Sequence, residues 1–319
     1  MTRVTSSDID EQAASLREWN QIYEQMSPGR FVGSLDQACF RGVQVFRETT
    51  SQAVHQSGSP RAGSRAIGVP IRIAGAAMFR GQAADADALV TLGGRDELDF
   101  YTPCGFDILG LSVDEPALEN YASRIEHRDI AAAFGTNGVI KPGRERLDKF
   151  RQLLLSVLQS LDANPGALQF QQAQRVLEES MLRALVDVVA GSDNERPSKL
   201  PCPNRRHIVD AAKTYMRSRI DEPITVADLC LELGVSRRTL QYSFREVLDL
   251  NPIRFLRAMR LNGVRRDLRV APLPTGSVLD IAAKWGFWHA GHFVTDYKRM
   301  FAELPSETLR RNGRPAPPQ

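Results

Sequence analysis

The chain has 319 residues, 42% hydrophobic and 25% charged, a globular composition with room for two domains of ordinary size. No run of about eighteen apolar residues occurs, which argues against a transmembrane helix and predicts no membrane partner. The net charge of +3 conceals an asymmetry: residues 205–319 hold 20 basic and 12 acidic groups, whereas the preceding residues hold 21 and 26. A basic segment fused to an acidic one points to a polyanion partner for the basic part. Met1 to Glu11 is polar and lacks an apolar signal core. Cys39, Cys104, Cys202 and Cys230 form no CxxC pair, a pattern that fits thiols in a reducing compartment, so the expected location is the cytoplasm.

Residues 1–30 read as a short helical lead-in, with Leu16, Trp19 and Tyr23 at helical spacing. From Phe31 to Val113 the chain becomes a series of short apolar runs divided by Gly, Pro and Asp. Val43–Phe46, Ile71–Ile73, Ala88–Thr91, Glu97–Phe100 and Phe106–Leu109 are the clearest, and they predict a small antiparallel sheet or barrel. Two amphipathic helices follow. The first carries Leu147, Phe150, Leu154, Val157, Leu158 and Leu161; the second, about Leu168 to Val189, carries Val176, Leu177, Leu185 and Val188 on one side. Such stripes close a domain core or form a dimer seam. Residues 191–204, polar and with three prolines, read as a linker. The chain beyond is helical almost throughout, and 315–319 reads as a disordered tail.

After the linker, Val226, Leu229, Cys230 and Leu233 fall at i, i+3, i+4 and i+7, one face of a helix. Gly234 suits a left-handed stop, and Ser236 suits an N-cap for a second helix that buries Leu240 and Phe244. Arg237, Arg238, Gln241, Tyr242 and Arg245 are left outside. Moving 52 positions on, Val278, Ile281, Ala282 and Trp285 repeat the spacing, followed by Gly286 and Phe287. The helix after them buries Phe293 and Tyr297, one residue later than strict repetition requires. Two helix-turn-helix units are therefore predicted, the first with a polar, basic outer face, held at a fixed separation by a long helix over Pro252 to Arg269.

The arrangement resembles the AraC/XylS family of transcription regulators. The resemblance rests on Ser236–Gln241, Arg260–Asn262 with Arg265 and Arg266, Trp285–His289, Asp296–Phe301 and Pro305–Ser306, and covers roughly 205–312. It implies recognition helices in the major groove of double-stranded operator DNA, with bases read from their exposed sides. Carried onto this chain, the first unit offers Arg237, Arg238, Gln241 and Tyr242, with Arg238 and Gln241 suited to guanine and adenine; Arg245 and Arg237 are alternative phosphate ligands. The second unit offers Ala290, Gly291, Val294 and Thr295, with His289 near the cap. It implies methyl and shape readout, with Lys298 and Arg299 gripping phosphate. RNA polymerase recruitment, activation and a possible homodimer also follow from the resemblance. A narrower resemblance, to the ethanolamine-responsive regulators within that family, rests on Trp19–Met26, Pro28–Phe31 and Gln44–Glu48. It implies activation by ethanolamine together with adenosylcobalamin.

The front half shows no catalytic constellation. Only His55 and His127 occur between Phe31 and Gly191, and there is no GxSxG, P-loop or dinucleotide fingerprint. The expectation is not an enzyme, with no cofactor required; a metal-dependent barrel enzyme, or a sensor triggered by a protein partner, is the alternative. His289 and His292 sit three apart but have no Cys or carboxylate cluster around them, so no metal site is expected. For an amine effector, Asp96, Glu97, Asp99, Phe100 and Tyr101 form the densest cluster of carboxylates and rings. The predicted architecture is an α+β sensor and dimerisation domain over 1–190, a linker over 191–204, and an all-α DNA-binding domain of about seven helices over 205–314.

Overall fold

The structure, a computed structural model, describes residues 1–127, 130, 134, 138–190, 203–271 and 277–311. The chain divides into two compact units: residues 1–23 with 32–198, and residues 24–31 with 199–319. The expected linker falls outside the described residues except for 203–204, which open a helix, and the expected tail lies wholly outside them.

In the first unit, β1 (Thr2–Ser6), α1 (Ile9–Ser15) and β2 (Trp19–Gln25) precede β3 (Gly33–Phe40), β4 (Val43–Thr50), β5 (Val54–Pro60) and β6 (Ser64–Arg72). β7 (Ala77–Phe79), β8 (Gln82–Ala84), β9 (Leu89–Gly93), β10 (Leu98–Thr102), β11 (Phe106–Asp114), α2 (Glu115–Asn120) and β12 (Val139–Ile140) follow. α3 (Arg144–Ala163) and α4 (Gln171–Ala190) complete it. The strands form a seven-stranded sheet in the order β1-β3-β4-β11-β6-β9-β12 and a five-stranded sheet in the order β2-β5-β10-β7-β8. The described pairings are antiparallel, as the short Gly-divided runs predict.

Because side chains alternate along a strand, each face of the larger sheet has its own partner. One face, with Val43, Val45, Leu109, Leu111 and Val113, packs on Leu147, Phe150 and Leu154 of α3 and Leu185 of α4. The opposite face, with Ala66, Val90, Leu92 and Ile108, packs on Phe79, Leu98 and Phe100 of the smaller sheet. Four of the five runs read as strands lie on β4, β9, β10 and β11, whereas Ile71–Ile73 meets only the end of β6, which stops at Arg72. The helical lead-in is corrected: only Ile9–Ser15 is helical, and Trp19 and Tyr23 lie on β2. Residues 19, 21 and 23 also satisfy a period of two, and Glu18, with φ 61°, breaks the helix register ahead of them. Val176, expected on the buried stripe of α4, is exposed, because the buried face of that helix begins at Met181.

The second unit is helical: α5 (Pro203–Ser218), α6 (Val226–Leu233), α7 (Arg237–Leu248), α8 (Pro252–Val270), α9 (Val278–Lys284), α10 (Ala290–Phe301) and α11 (Pro305–Arg310). It has two cores. Val209, Leu229, Leu240, Phe244 and Phe255 build one; Leu261, Val264, Ala282, Phe293 and Tyr297 build the other. α8 contributes to both, and its 19 residues span about 28 Å. Residues 24–31 belong to this unit although the sequence assigned them to the front domain. Met26 packs against both cores. The Gln25 N–H donates to Asn262 Oδ1 (3.0 Å) and its carbonyl accepts from Asn262 Nδ2 (2.9 Å). Gln25 Nε2 (2.7 Å) and the Gly29 N–H (3.0 Å) both donate to the Met300 carbonyl. No helix among the described residues is long and apolar enough to cross a membrane.

Candidate nucleic-acid interface

The first helix pair is punctuated by side-chain caps. Thr225 Oγ1 accepts from the Asp228 N–H (3.2 Å) while Asp228 Oδ2 accepts from the Thr225 N–H (2.8 Å), closing a capping box at the start of α6. Gly234 ends α6 at φ 61°, a left-handed conformation that costs glycine little. Ser236 Oγ then accepts from the Thr239 N–H (3.1 Å) and starts α7. Burying Leu240 and Phe244 stabilises this helix by roughly 1.5–3 kcal/mol per side chain. It also fixes which face of α7 turns outward.

The second pair reproduces the turn at the level of single hydrogen bonds. The Val235 N–H donates to the Cys230 carbonyl (3.1 Å), and 52 positions later the Phe287 N–H donates to the Ala282 carbonyl (3.0 Å). Gly286 takes φ 79°. Trp285 lies against Gly263 of α8, where a Cβ would come within 2.2 Å of the indole ring, and its Nε1 donates to Asp267 Oδ2 (2.9 Å). Here the copies diverge. α10 begins at Ala290 with no side-chain cap from His289, and Trp288, in the position corresponding to Ser236, is 65% exposed. That extra residue accounts for the one-residue delay of Phe293 and Tyr297.

On α7, Arg237, Arg238, Gln241 and Arg245 are exposed, and the three arginines form no ion pair among the described residues. Tyr242 is exposed at its edge, while the Arg205 guanidinium from α5 lies 4.6 Å from its ring centroid and also pairs with Glu246. On α10, His289, Ala290, Gly291, Thr295, Lys298 and Arg299 are exposed and Val294 is half-buried. Thr295 Oγ1 donates to the Gly291 carbonyl (2.9 Å), which leaves its methyl as the apolar contact. Arg299 is held by buried Asp296 (3.0 Å), which also pairs with Arg257, so Lys298 is the freer cation of the two. The His289 and His292 rings are 6.3 Å apart, and no group of three metal-ligating side chains is found among the described residues.

The cluster read as effector candidates divides across β10. Leu98, Phe100 and Thr102 turn inward, whereas Asp99 and Tyr101 point away. Asp99 Oδ1 lies 2.7 Å from Nε2 of buried His55, whose ring N–H can donate to it. Asp96 Oδ2 accepts from the Gly93 N–H (3.2 Å), its other oxygen is 3.9 Å from Arg80, and Glu97 is exposed. Phe100 alone of the five lines a cavity of about 480 Å³, mouth included, between the two sheets of the first unit. Trp19, Tyr23, Phe46, Phe79 and Glu48 line it too. Glu48 is 3% exposed; Tyr23 Oη (3.0 Å) and Gln12 Nε2 (3.0 Å) donate to it, and burial pushes its carboxyl from 4.5 to about 7. Its place two after Phe46 on an alternating strand is the one cue to this residue's inward direction.

Residues 229–311 match the family described as a helix-turn-helix domain. The match takes in the end of α6 and the helices after it, including the basic outer face of α7. A protein described as the probable thc operon regulatory protein of Rhodococcus erythropolis is 30% identical over 213 residues, 66% of this chain and 63% of that one. The XylDLEGF operon transcriptional activator 3 of Pseudomonas putida is 26% identical over 127 residues, 40% of this chain and 37% of that one. The chain thus spans less than two thirds of each of these curated relatives. Among solved structures, a probable AraC family transcriptional regulator from Rhodopseudomonas palustris CGA009 shares 33% identity, with 33% of this chain and 97% of that one covered and a TM-score of 0.31. The relatives are transcription regulators, and none of these comparisons singles out the ethanolamine-responsive ones.

Proposed function

We propose that the chain is a sequence-specific transcription activator of the AraC/XylS type, in which α6–α7 and α9–α10 act as two helix-turn-helix units on operator DNA. The observation that carries this reading is the repeated turn, with arginines on the outer face of α7 that form no ion pair among the described residues and a single helix, α8, shared by both cores. α7 reads bases through Arg238 and Gln241, with Arg237 and Arg245 on phosphate and Tyr242 stiffened by Arg205. α10 supplies Ala290, Gly291, Val294 and the Thr295 methyl for shape and methyl contacts, with Lys298, Arg299 and His289 toward the backbone. RNA polymerase and a second copy of the chain are the macromolecular partners this reading implies.

The trigger in this reading is a small amine sensed by the first unit. Ethanolamine is one candidate. Adenosylcobalamin is much larger than the 480 Å³ cavity and would have to act elsewhere. A ligand shifts a regulator only by binding its two states unequally. The experiment is fluorescence anisotropy at fixed salt on DNA from upstream of the neighbouring operon. Expected results are competitor-resistant binding, weaker discrimination in Arg238→Ala, and uniformly weaker binding in Lys298→Ala. Equal affinity for operator and unrelated DNA would overturn the reading. Ethanolamine and adenosylcobalamin, separately and together, are added in the same assay.

A further inference from the structure

We infer that the cavity between the two sheets of the first unit is a binding site for an organic ammonium ion with a compact aromatic or aliphatic body, anchored by Glu48. The inference deepens the amine-responsive reading above and rests on it for its regulatory meaning, but the site itself stands on its own geometry.

Three observations meet there. The first is the carboxylate. Glu48 is buried on β4, and its partners among the described residues are neutral: Gln12 Nε2 from α1 and Tyr23 Oη from β2. Its cross-strand neighbours are Leu35 on β3 and Ile108 on β11, so no cation faces it from any strand packed beside it. Tyr23, the one titratable group in contact, is held well above its ordinary value by burial and by Glu48, and stays neutral. A buried carboxylate without a cation is costly unless something that visits the site pairs with it.

The second is Gln56 on β5, opposite Phe100 and lining the same cavity. It is 6% exposed, yet its side-chain amide has no hydrogen-bond partner among the described residues. Lining the cavity, it offers a donor and an acceptor to an occupant.

The third is the wall. Trp19, Tyr23, Phe46, Phe79 and Phe100 surround the space, and Phe46 keeps its ring there because Gly110 faces it: a Cβ at 110 would lie 2.0 Å from that ring. Aromatic faces attract a cation and also bury an apolar body. A few convergent polar groups in a mostly apolar cavity are the ordinary form of a small-molecule site. An anion would meet Glu48 with like charge, and a hydrophilic two-carbon amine would set its hydroxyl against a mostly apolar wall. The class that satisfies all three observations is an ammonium ion carrying a ring or branched chain.

The test is titration calorimetry of the full chain with benzylamine, and with benzyl alcohol, phenylacetate and ethanolamine as controls, in two buffers of different ionisation enthalpy. Benzylamine should bind tighter than its neutral and anionic counterparts and tighter than ethanolamine. Because the Glu48 carboxyl titrates near 7, affinity should rise about tenfold between pH 6 and pH 8, with protons released at pH 7. Glu48→Gln should lose at least tenfold in affinity and all of the pH dependence, and Gln56→Leu should weaken binding without removing that dependence. Benzyl alcohol binding as well as benzylamine, retained affinity in Glu48→Gln, or no amine binding at millimolar concentration would each overturn the assignment. Operator binding, measured in parallel, shows that the variants are folded. Its absence in the wild-type protein would defeat the regulator reading while leaving the calorimetry to decide the site.

Discussion

Replacing Glu48 by Gln should stabilise the unliganded protein at neutral and alkaline pH. Glu48 titrates near 7 in the folded chain against an ordinary value of 4.5, a difference worth about 3 kcal/mol. Below 4.5 the carboxyl holds its proton whether the chain is folded or not, and it contributes no pH dependence. Between 4.5 and about 7 the folded protein keeps a proton that the unfolded chain has released, so stability falls as pH rises through this window. Above about 7 the full penalty is present. Gln removes the charge and can still accept from Tyr23 and Gln12. For a unit of this size, about 3 kcal/mol corresponds to roughly 6–12 °C in midpoint. Thermal unfolding followed by circular dichroism at pH 5, 6, 7 and 8 measures it. The variant's advantage should be smallest at pH 5, about 1 kcal/mol or less, and grow to its full size by pH 8. A variant no more stable than the wild type at pH 8 would refute the claim that Glu48 is a desolvated carboxylate without a cation.

Other consequences are open to direct measurement. Gly263→Ala drives a methyl into the Trp285 ring and should destabilise the helical unit by about 1–3 kcal/mol, read as a lower denaturation midpoint. Asn262→Ala leaves the buried Gln25 N–H and carbonyl without their partner and should cost about 1–3 kcal/mol; accelerated hydrogen exchange at Gln25 would report it, and unchanged exchange would contradict it. Operator affinity should fall with salt at a log–log slope of about −0.9 per neutralised phosphate, and Lys298→Ala should reduce that slope by about one.

The helical unit was the more legible half because its signals are local. Val226, Leu229, Cys230 and Leu233 mark one helical face within eight residues, and Gly234 and Gly286 mark turns that few other residues enter cheaply. The front unit hides its chemistry because both faces of its larger sheet are covered. On β4, Val45 faces the helices, and Phe46 with Glu48 faces the other sheet, so a polar residue there does not mean solvent. Density of charge in sequence therefore pointed to Asp96, Glu97 and Asp99, which alternation and local pairing turn away from the cavity. An isolated glutamate beside an arginine carried no such signal. Trp19 and Tyr23 are ambiguous for a related reason: four-residue spacing satisfies a helix and, with residue 21 between them, a strand as well.

The eight residues at 24–31 bear on how this protein can be made and divided. Gln25 meets Asn262 across 237 positions of sequence, so the helical unit cannot finish assembling from its own contiguous stretch. During synthesis the early segment emerges long before its seat exists and must wait for almost the entire chain. Contacts of such high sequence separation form late and slow the last step of folding. A fragment starting at the linker would carry an open socket where Met26 belongs, and a peptide of residues 24–31 supplied in trans should fill it.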